Sequence, residues 1–109
     1  EAAVRAMGGH GAHAGVQGQA CRAIANICAG TDTAGLQRKQ RAADAGALEA
    51  AVCAMGKHGA HVGVQEQACG AIRNICSGTD AAGLQRRQRA SEAGALEAAV
   101  RAMGGHAAH

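Results

Sequence analysis

No phenylalanine, tyrosine, tryptophan or proline occurs in this chain. Strands draw on aromatic and β-branched side chains, and hairpins need turn chemistry throughout, so a sheet-rich fold is not expected. Nor is there an aromatic ring on which a nucleobase would stack. Long aliphatic side chains are scarce: four Leu, four Ile, six Val and three Met serve 109 residues, and Ala supplies most of the 48% that is hydrophobic. No apolar run approaches the ~18–20 residues a membrane span requires. No basic segment followed by an apolar stretch and a small-residue cleavage site marks the chain for export. Leu, Ile and Val fall below the ~20% level that accompanies disorder, but the formal net charge of +3 is too small to go with it. What remains is one domain of Ala-rich helices, close-packed because their side chains are short.

Five cysteines cannot all pair within one chain. Cys21 and Cys28 stand seven residues apart on a predicted helix, roughly 10 Å along its axis, beyond disulfide reach. Reduced, core-filling thiols in a cytoplasmic or otherwise intracellular protein follow. A pI near 8.8 permits an acidic partner without requiring one.

The dominant feature is a repeat of period 48. Glu1-Ala2-Ala3-Val4 returns as Glu49-Ala50-Ala51-Val52 and as Glu97-Ala98-Ala99-Val100, and residues 1–48 match 49–96 at 37 of 48 positions without a gap. A third, partial copy over 97–109 matches 1–13 at 12 of 13 positions. A fixed period of this size marks stacked units, each unable to bury its apolar face alone. Within one period, Leu48, Val52 and Met55 recur at helical spacing over 47–56, and the Gly-rich stretch 56–61 reads as a loop. The spacing predicts a long helix over 62–77, with Val64, Ala68, Ala71, Ile72, Ile75 and Cys76 on its apolar side. A short basic helix is predicted over 83–93, with Leu84 inward. Gly78 suits a left-handed position past a helix end, and Thr79 or Asp80 an N-cap.

The run Asp44-Ala45-Gly46-Ala47-Leu48-Glu49-Ala50-Ala51-Val52 resembles the first-to-second-helix corner of the armadillo repeat. Residues 64–76, with their counterpart 16–28, resemble its third helix. The likeness covers nearly the whole chain. It departs in a longer period, in Glu49 and Glu97 where Pro is common, and in the missing aromatics. The resemblance implies an all-α fold, an α-α superhelix of about two and a quarter repeats. The segments are 1–46 (a partial first repeat), 47–94 and 95–109. A HEAT-type repeat, with two helices per unit, is the structural alternative.

Five differences between the copies fall in the long helix, at 14/62, 18/66, 22/70, 25/73 and 29/77. At about 100° per residue they occupy one narrow stripe, while Val16, Ala20, Ile24 and Ile27 gather on the opposite side. A drifting solvent face accounts for such a stripe. The armadillo likeness implies more, because the third helices of that family line a groove for extended peptides. It implies that Asn26 and Asn74 pair with the peptide main chain, each amide offering donor and acceptor. Arg22, Arg73, Glu66 and Ser77 would then select side chains. The Trp that the family carries four residues before the Asn is Arg22 in one copy and Gly70 in the other, which removes the apolar walls of its pockets.

The short helices carry Arg38, Lys39 and Arg41, then Arg86, Arg87 and Arg89. Measured from Leu36, these face away from the expected core and predict either a solvated face or a positive ridge for an acidic partner or nucleic acid. His10 and His13, His58 and His61, and His106 and His109 each form an H-x-x-H pair. A structural zinc needs four ligands and a catalytic one three, so no metal site and no cofactor is expected from pairs alone. No P-loop, nucleophile elbow or convergent carboxylate pair is present, so no enzyme is expected. Three readings result: a scaffold binding an extended peptide or protein along the long helices, a purely structural or engineered array, and an acidic-partner binder acting through the arginines. Bare apolar faces at both ends predict membership of a longer array or end-to-end association.

Overall fold

The computed structural model describes residues 2–106 and the side chains of residues 2–104. Seven helices follow one another: α1 (Ala2–Gly9), α2 (Ala14–Ile27), α3 (Thr33–Asp44), α4 (Ala47–Lys57), α5 (Val62–Cys76), α6 (Ala81–Glu92) and α7 (Ala95–His106). No strand occurs among the described residues. The helices expected near 47–56, 62–77 and 83–93 are present within a residue or two of those bounds.

The two long helices, α2 and α5, lie against each other over most of their length and form the principal contact of the molecule. α1 packs on α2 as α4 packs on α5, and α3 and α6 each flank α5. Between them the core is built from small side chains. Cys21, Ala47, Leu48, Ala51, Val64, Ala68, Ala71 and Ile75 are wholly buried. Ile24 is buried and Ile72 is partly buried against that core. Ile27 departs from expectation: it is 54% exposed, whereas its counterpart Ile75 is 0% exposed. Ile75 sits on a helix with neighbours on both sides, and Ile27 borders an open hollow with Ala2, Ala3 and Val4. Cys53, expected inside with the other thiols, is exposed.

The corner between the short and medium helices is two residues wide. Gly46 at φ 90° and Gly94 at φ 94° make this turn, in the left-handed region where only a residue without Cβ is unstrained. At the other end of α3, the Asp32 side chain accepts from the Gly35 N–H at 3.0 Å and caps the helix.

The orientation of the short helices overturns the reading anchored on Leu36 and Leu84. In α3 the buried residues are Gly35, Lys39 and Ala43, and in α6 they are Gly83, Arg86 and Ala90. Leu84 is exposed and Leu36 only half-buried. A single leucine per helix offers little burial, and two other constraints turn the helix. The preceding loop crosses close to α3 and α6, so that a Cβ on Gly35 would overlap the Gly30 carbonyl and one on Gly83 would stand 2.8 Å from the Gly78 oxygen. Lys39 of α3 and Arg86 of α6 also reach inward.

Gly35→Ala is therefore expected to destabilise the fold by roughly 1–3 kcal/mol, since backbone on the opposing loop must move. Gly56→Ala, at a helical site with nothing within 4 Å of the added methyl, is expected to be neutral or to stabilise by about 0.5–1 kcal/mol. Chemical denaturation of the two variants checks the contrast. Burial also pushes the Cys21 thiol from 9.0 up to about 11. The folded state then holds a proton that the unfolded chain releases, so stability falls as pH rises from about 9 to 11. Burial of Lys39 pushes its ammonium below the ordinary value, which acts with the opposite sign in the alkaline range. Melting curves in reductant are expected to show a shallower alkaline decline for Cys21→Ala than for the unaltered chain.

Candidate functional site

The long helices bring together most of the residues expected to meet a partner. α2 and α5 approach so closely because the seam between them is lined with small residues. A Cβ built on Gly18 would lie 3.9 Å from the Val64 side chain, and one on Gly70 would lie 3.9 Å from the Ala25 methyl. Arg22, Asn26, Glu66 and Arg73 are exposed on these helices, and Ser77 is half-buried at the end of α5. A shallow groove of ≈ 170 Å³ runs between the helices, lined by Gly18, Gln19, Arg22, His61 and Gln67 among others.

The two asparagines are not equivalent. The Asn74 amide donates from Nδ2 to the Ala25 carbonyl at 2.7 Å, bridging α5 to α2. One of its two N–H groups is thereby engaged inside the protein, and the other N–H and the amide oxygen remain for a partner. Close approach of the helices causes the bond, because the carbonyl of Ala25 comes within reach where its side chain is only a methyl. Asn26 is exposed and makes no such bridge among the described residues. Ser77 donates from Oγ to the Asn74 carbonyl at 2.9 Å, which makes it a C-terminal cap of α5.

The expected positive ridge is corrected most strongly. Lys39 is 0% and Arg86 1% exposed. Arg86 donates from Nε to the Ile75 carbonyl (2.7 Å) and from Nη2 to the Ser77 carbonyl (3.1 Å). It also pairs with Asp80 at 3.0 Å and reaches Gln40 of α3 at 3.1 Å. That contact holds the Asp80 carboxyl below the usual carboxylate range. Arg87 donates to the carbonyls of Cys76 and Gly78, and Arg38 to that of Ile27. Lys39 donates to the carbonyl of Cys28 and, across to α5, to that of Asn74 at 2.8 Å. The last turn of a helix presents carbonyls without intrahelical partners and a partial negative charge. Four of the six cations are thus consumed in closing the ends of α2 and α5. Arg89 pairs with Asp44 at 3.3 Å, and Arg41 is exposed.

Two buried glutamines do the same at the other end of the unit. Gln17 donates from Nε2 to the carbonyls of Met7 and His10, and Gln65 to those of Met55 and His58. They tie each long helix to the end of the medium helix before it. A polar residue in an apolar stripe, one position after Val16 or Val64, was the signal that would have revealed them.

The histidines serve the same loops. His61 accepts the Val64 N–H at Nδ1 (3.2 Å) as the N-cap of α5, and the His58 ring lies 2.8 Å from the Gly11 carbonyl. His10 and His13 face each other with ring centres 6.0 Å apart. The third pair, His106 and His109, lies outside the described side chains. Among the described residues no three His, Cys, Asp or Glu side chains gather as a metal would need. No helix there is long and apolar enough to cross a membrane.

Three consecutive helices, short, medium and long, with a Gly corner and a long helix turned partly outward, define an α-helical repeat. Residues 37–77, from within α3 to the end of α5, match the Armadillo/beta-catenin-like repeat. Such repeats are generally protein-interaction scaffolds and not enzymes. No curated protein and no solved structure matches the chain.

Arg86→Ala is expected to cost roughly 1–3 kcal/mol, because it leaves the buried carbonyl at the end of α5 without its donor. Arg89→Ala, which loses only an exposed pair, is expected to cost under ~1 kcal/mol. Equal effects in urea unfolding would contradict the assignment of Arg86 to the interior.

Proposed function

We propose that the chain is a segment of an armadillo-type solenoid that holds an extended stretch of a partner protein across α2 and α5. Its 48-residue units are the stacking elements, and the exposed sides of the long helices are the binding surface. The observation that carries this reading is the division of the long helices. The residues that repeat without change are mostly core or close helix ends, whereas Arg22, Glu66 and Arg73 differ between copies and stand in solvent, Arg22 lining the groove between the two helices. Asn26 pairs with the partner's main chain. Asn74, near the end of α5, contributes its amide oxygen and second N–H, and Ser77 holds its backbone carbonyl.

Two arginines and one glutamate favour a peptide with two acidic residues and one basic residue. The large apolar pockets that a Trp would wall are missing, so affinity rests on main-chain pairing and charge. Selection of extended peptides from a displayed library supplies the ligand. Asn26→Ala is then expected to weaken binding about tenfold, the worth of one or two hydrogen bonds. Arg41→Ala and Arg89→Ala are expected to leave it unchanged. Failure to recover any peptide sensitive to Asn26, Arg22 or Arg73 would remove this reading. It would favour the purely structural array that the 37 identities in 48 positions also suit.

A further inference from the structure

Two hollows of one plan lie between successive medium helices. The first, ≈ 200 Å³ between α1 and α4, is lined by Val4, Met7, Gly11, Gln17, Cys53 and Lys57 among others. The second, ≈ 140 Å³ between α4 and α7, has Met55, Gly59, Gln65 and Arg101 at corresponding places. Helices α5, α6 and α7 follow the first and α1, α2 and α3 precede the second, yet none of them lines the hollow concerned. The pairing of adjacent units makes these hollows.

Each holds one buried acceptor. Gln17 is 3% exposed, and its two amide N–H groups go to the carbonyls of Met7 and His10. Its amide oxygen has no donor among the described residues, and the same is true of Gln65. A buried oxygen in that position calls for a donor from whatever enters the hollow.

The groups beside that oxygen differ. The α1–α4 hollow carries a thiol and an ammonium one helical turn apart, Cys53 and Lys57, where the other copies have Arg5 and Gly9 or Arg101 and Gly105. Cys53 is exposed, whereas Cys21 and Cys28 are buried and Cys69 and Cys76 half-buried. Burial pushes the thiols of Cys21, Cys69 and Cys76 up, which withholds the thiolate that reacts. Lys57 reaches from α4 to the loop after α1, where its Nζ would stand 2.8 Å from a Cβ on Gly11. It makes no hydrogen bond or ion pair with any described residue. Glu49, one turn before Cys53, does not line the hollow.

We propose that the α1–α4 hollow is a thiol-modification site that takes one half of a small anionic disulfide onto Cys53. Lys57 pairs with the carboxylate of the incoming half, the Gln17 oxygen accepts its amide N–H, and Val4 and Met7 meet its methylenes. The Cys53 thiolate attacks the nearer sulfur, and the new sulfur–sulfur bond forms as the old one breaks. Cys53 is oxidised, and the other half leaves reduced, as a thiol carrying the proton that Cys53 gave up. Arg22, Asn26, Glu66 and Arg73 do not line this hollow, so the site stands or falls independently of peptide binding.

The test exposes the full reduced chain to equal concentrations of three disulfides at low ionic strength and follows the adducts by mass spectrometry. Diacetylcystine offers a carboxylate and an amide N–H, dithiodipropionate the carboxylate alone, and cystamine a cation. The rate at Cys53 is divided by that of free N-acetylcysteine with the same reagent. These ratios are expected to fall in that order over about a tenfold span that salt erodes, with Cys53 modified before any other cysteine. In Lys57→Gln both anionic reagents are expected to lose their lead over cystamine, while diacetylcystine stays ahead of dithiodipropionate. Another cysteine reacting as fast as Cys53, equal ratios for any two reagents, or a span indifferent to Lys57→Gln would overturn the proposal.

Discussion

The carbonyl groups at the ends of the helices govern this structure more than its apolar residues do. With 17 long aliphatic side chains and no aromatic ring, the core supplies little burial for each residue ordered. Buried carbonyls left without donors would consume that margin, each costing on the order of 1–3 kcal/mol. The chain answers at both ends of the unit. Gln17 and Gln65 close the medium helices, and Lys39, Arg38, Arg86 and Arg87 close the long ones. Because these donors come from a different helix than the acceptors, each bond fixes the position of one helix against another. Lys39 and Asn74 extend the arrangement from one copy of the repeat to the next.

This explains which parts of the fold were legible in the residues alone. Helix positions followed from the 48-residue period, from Leu48, Val52 and Met55 at helical spacing, and from glycines at 46, 78 and 94. All three of those glycines have positive φ. The orientation of the short helix was not legible, because a helical wheel ranks residues by hydropathy. On that scale Leu36 and Leu84 face inward and lysine or arginine outward. The structure reverses the order, since a cation that satisfies several carbonyls is more useful inside than one isolated leucine. Nothing in the local sequence of α3 announces that the end of α2 lies beside it. That is a tertiary fact, and only the pairing of a basic helix with a preceding long helix hints at it.

The candidate surface was legible in part for a related reason. The five differing positions do trace one stripe, and Arg22, Glu66 and Arg73 stand in solvent. The stripe nevertheless includes Gly18, Ala25 and Gly70, which face the neighbouring long helix. A difference between copies therefore falls both at the solvent face and along the seam between the two long helices. Small residues occupy the seam between α2 and α5, and charged ones, Glu66 and Arg73, occupy the places on α5 equivalent to Gly18 and Ala25. Asn74 illustrates the same division, being drawn into the seam while Asn26 remains outside it.

Lys39 and Arg86 are turned into the protein to close the ends of the long helices, so the short helices do not present the continuous positive ridge that their sequence suggests. Hydrogen exchange at the arginine Nε–H groups, followed by NMR under native conditions, tests this most directly. The Arg86 Nε–H, bonded to the Ile75 carbonyl at 2.7 Å, should exchange only through unfolding, orders of magnitude more slowly than that of exposed Arg101. Exchange of Arg86 as fast as Arg101 would contradict the account, because the end of α5 would then be closed by water and the short helices would be free to face a partner.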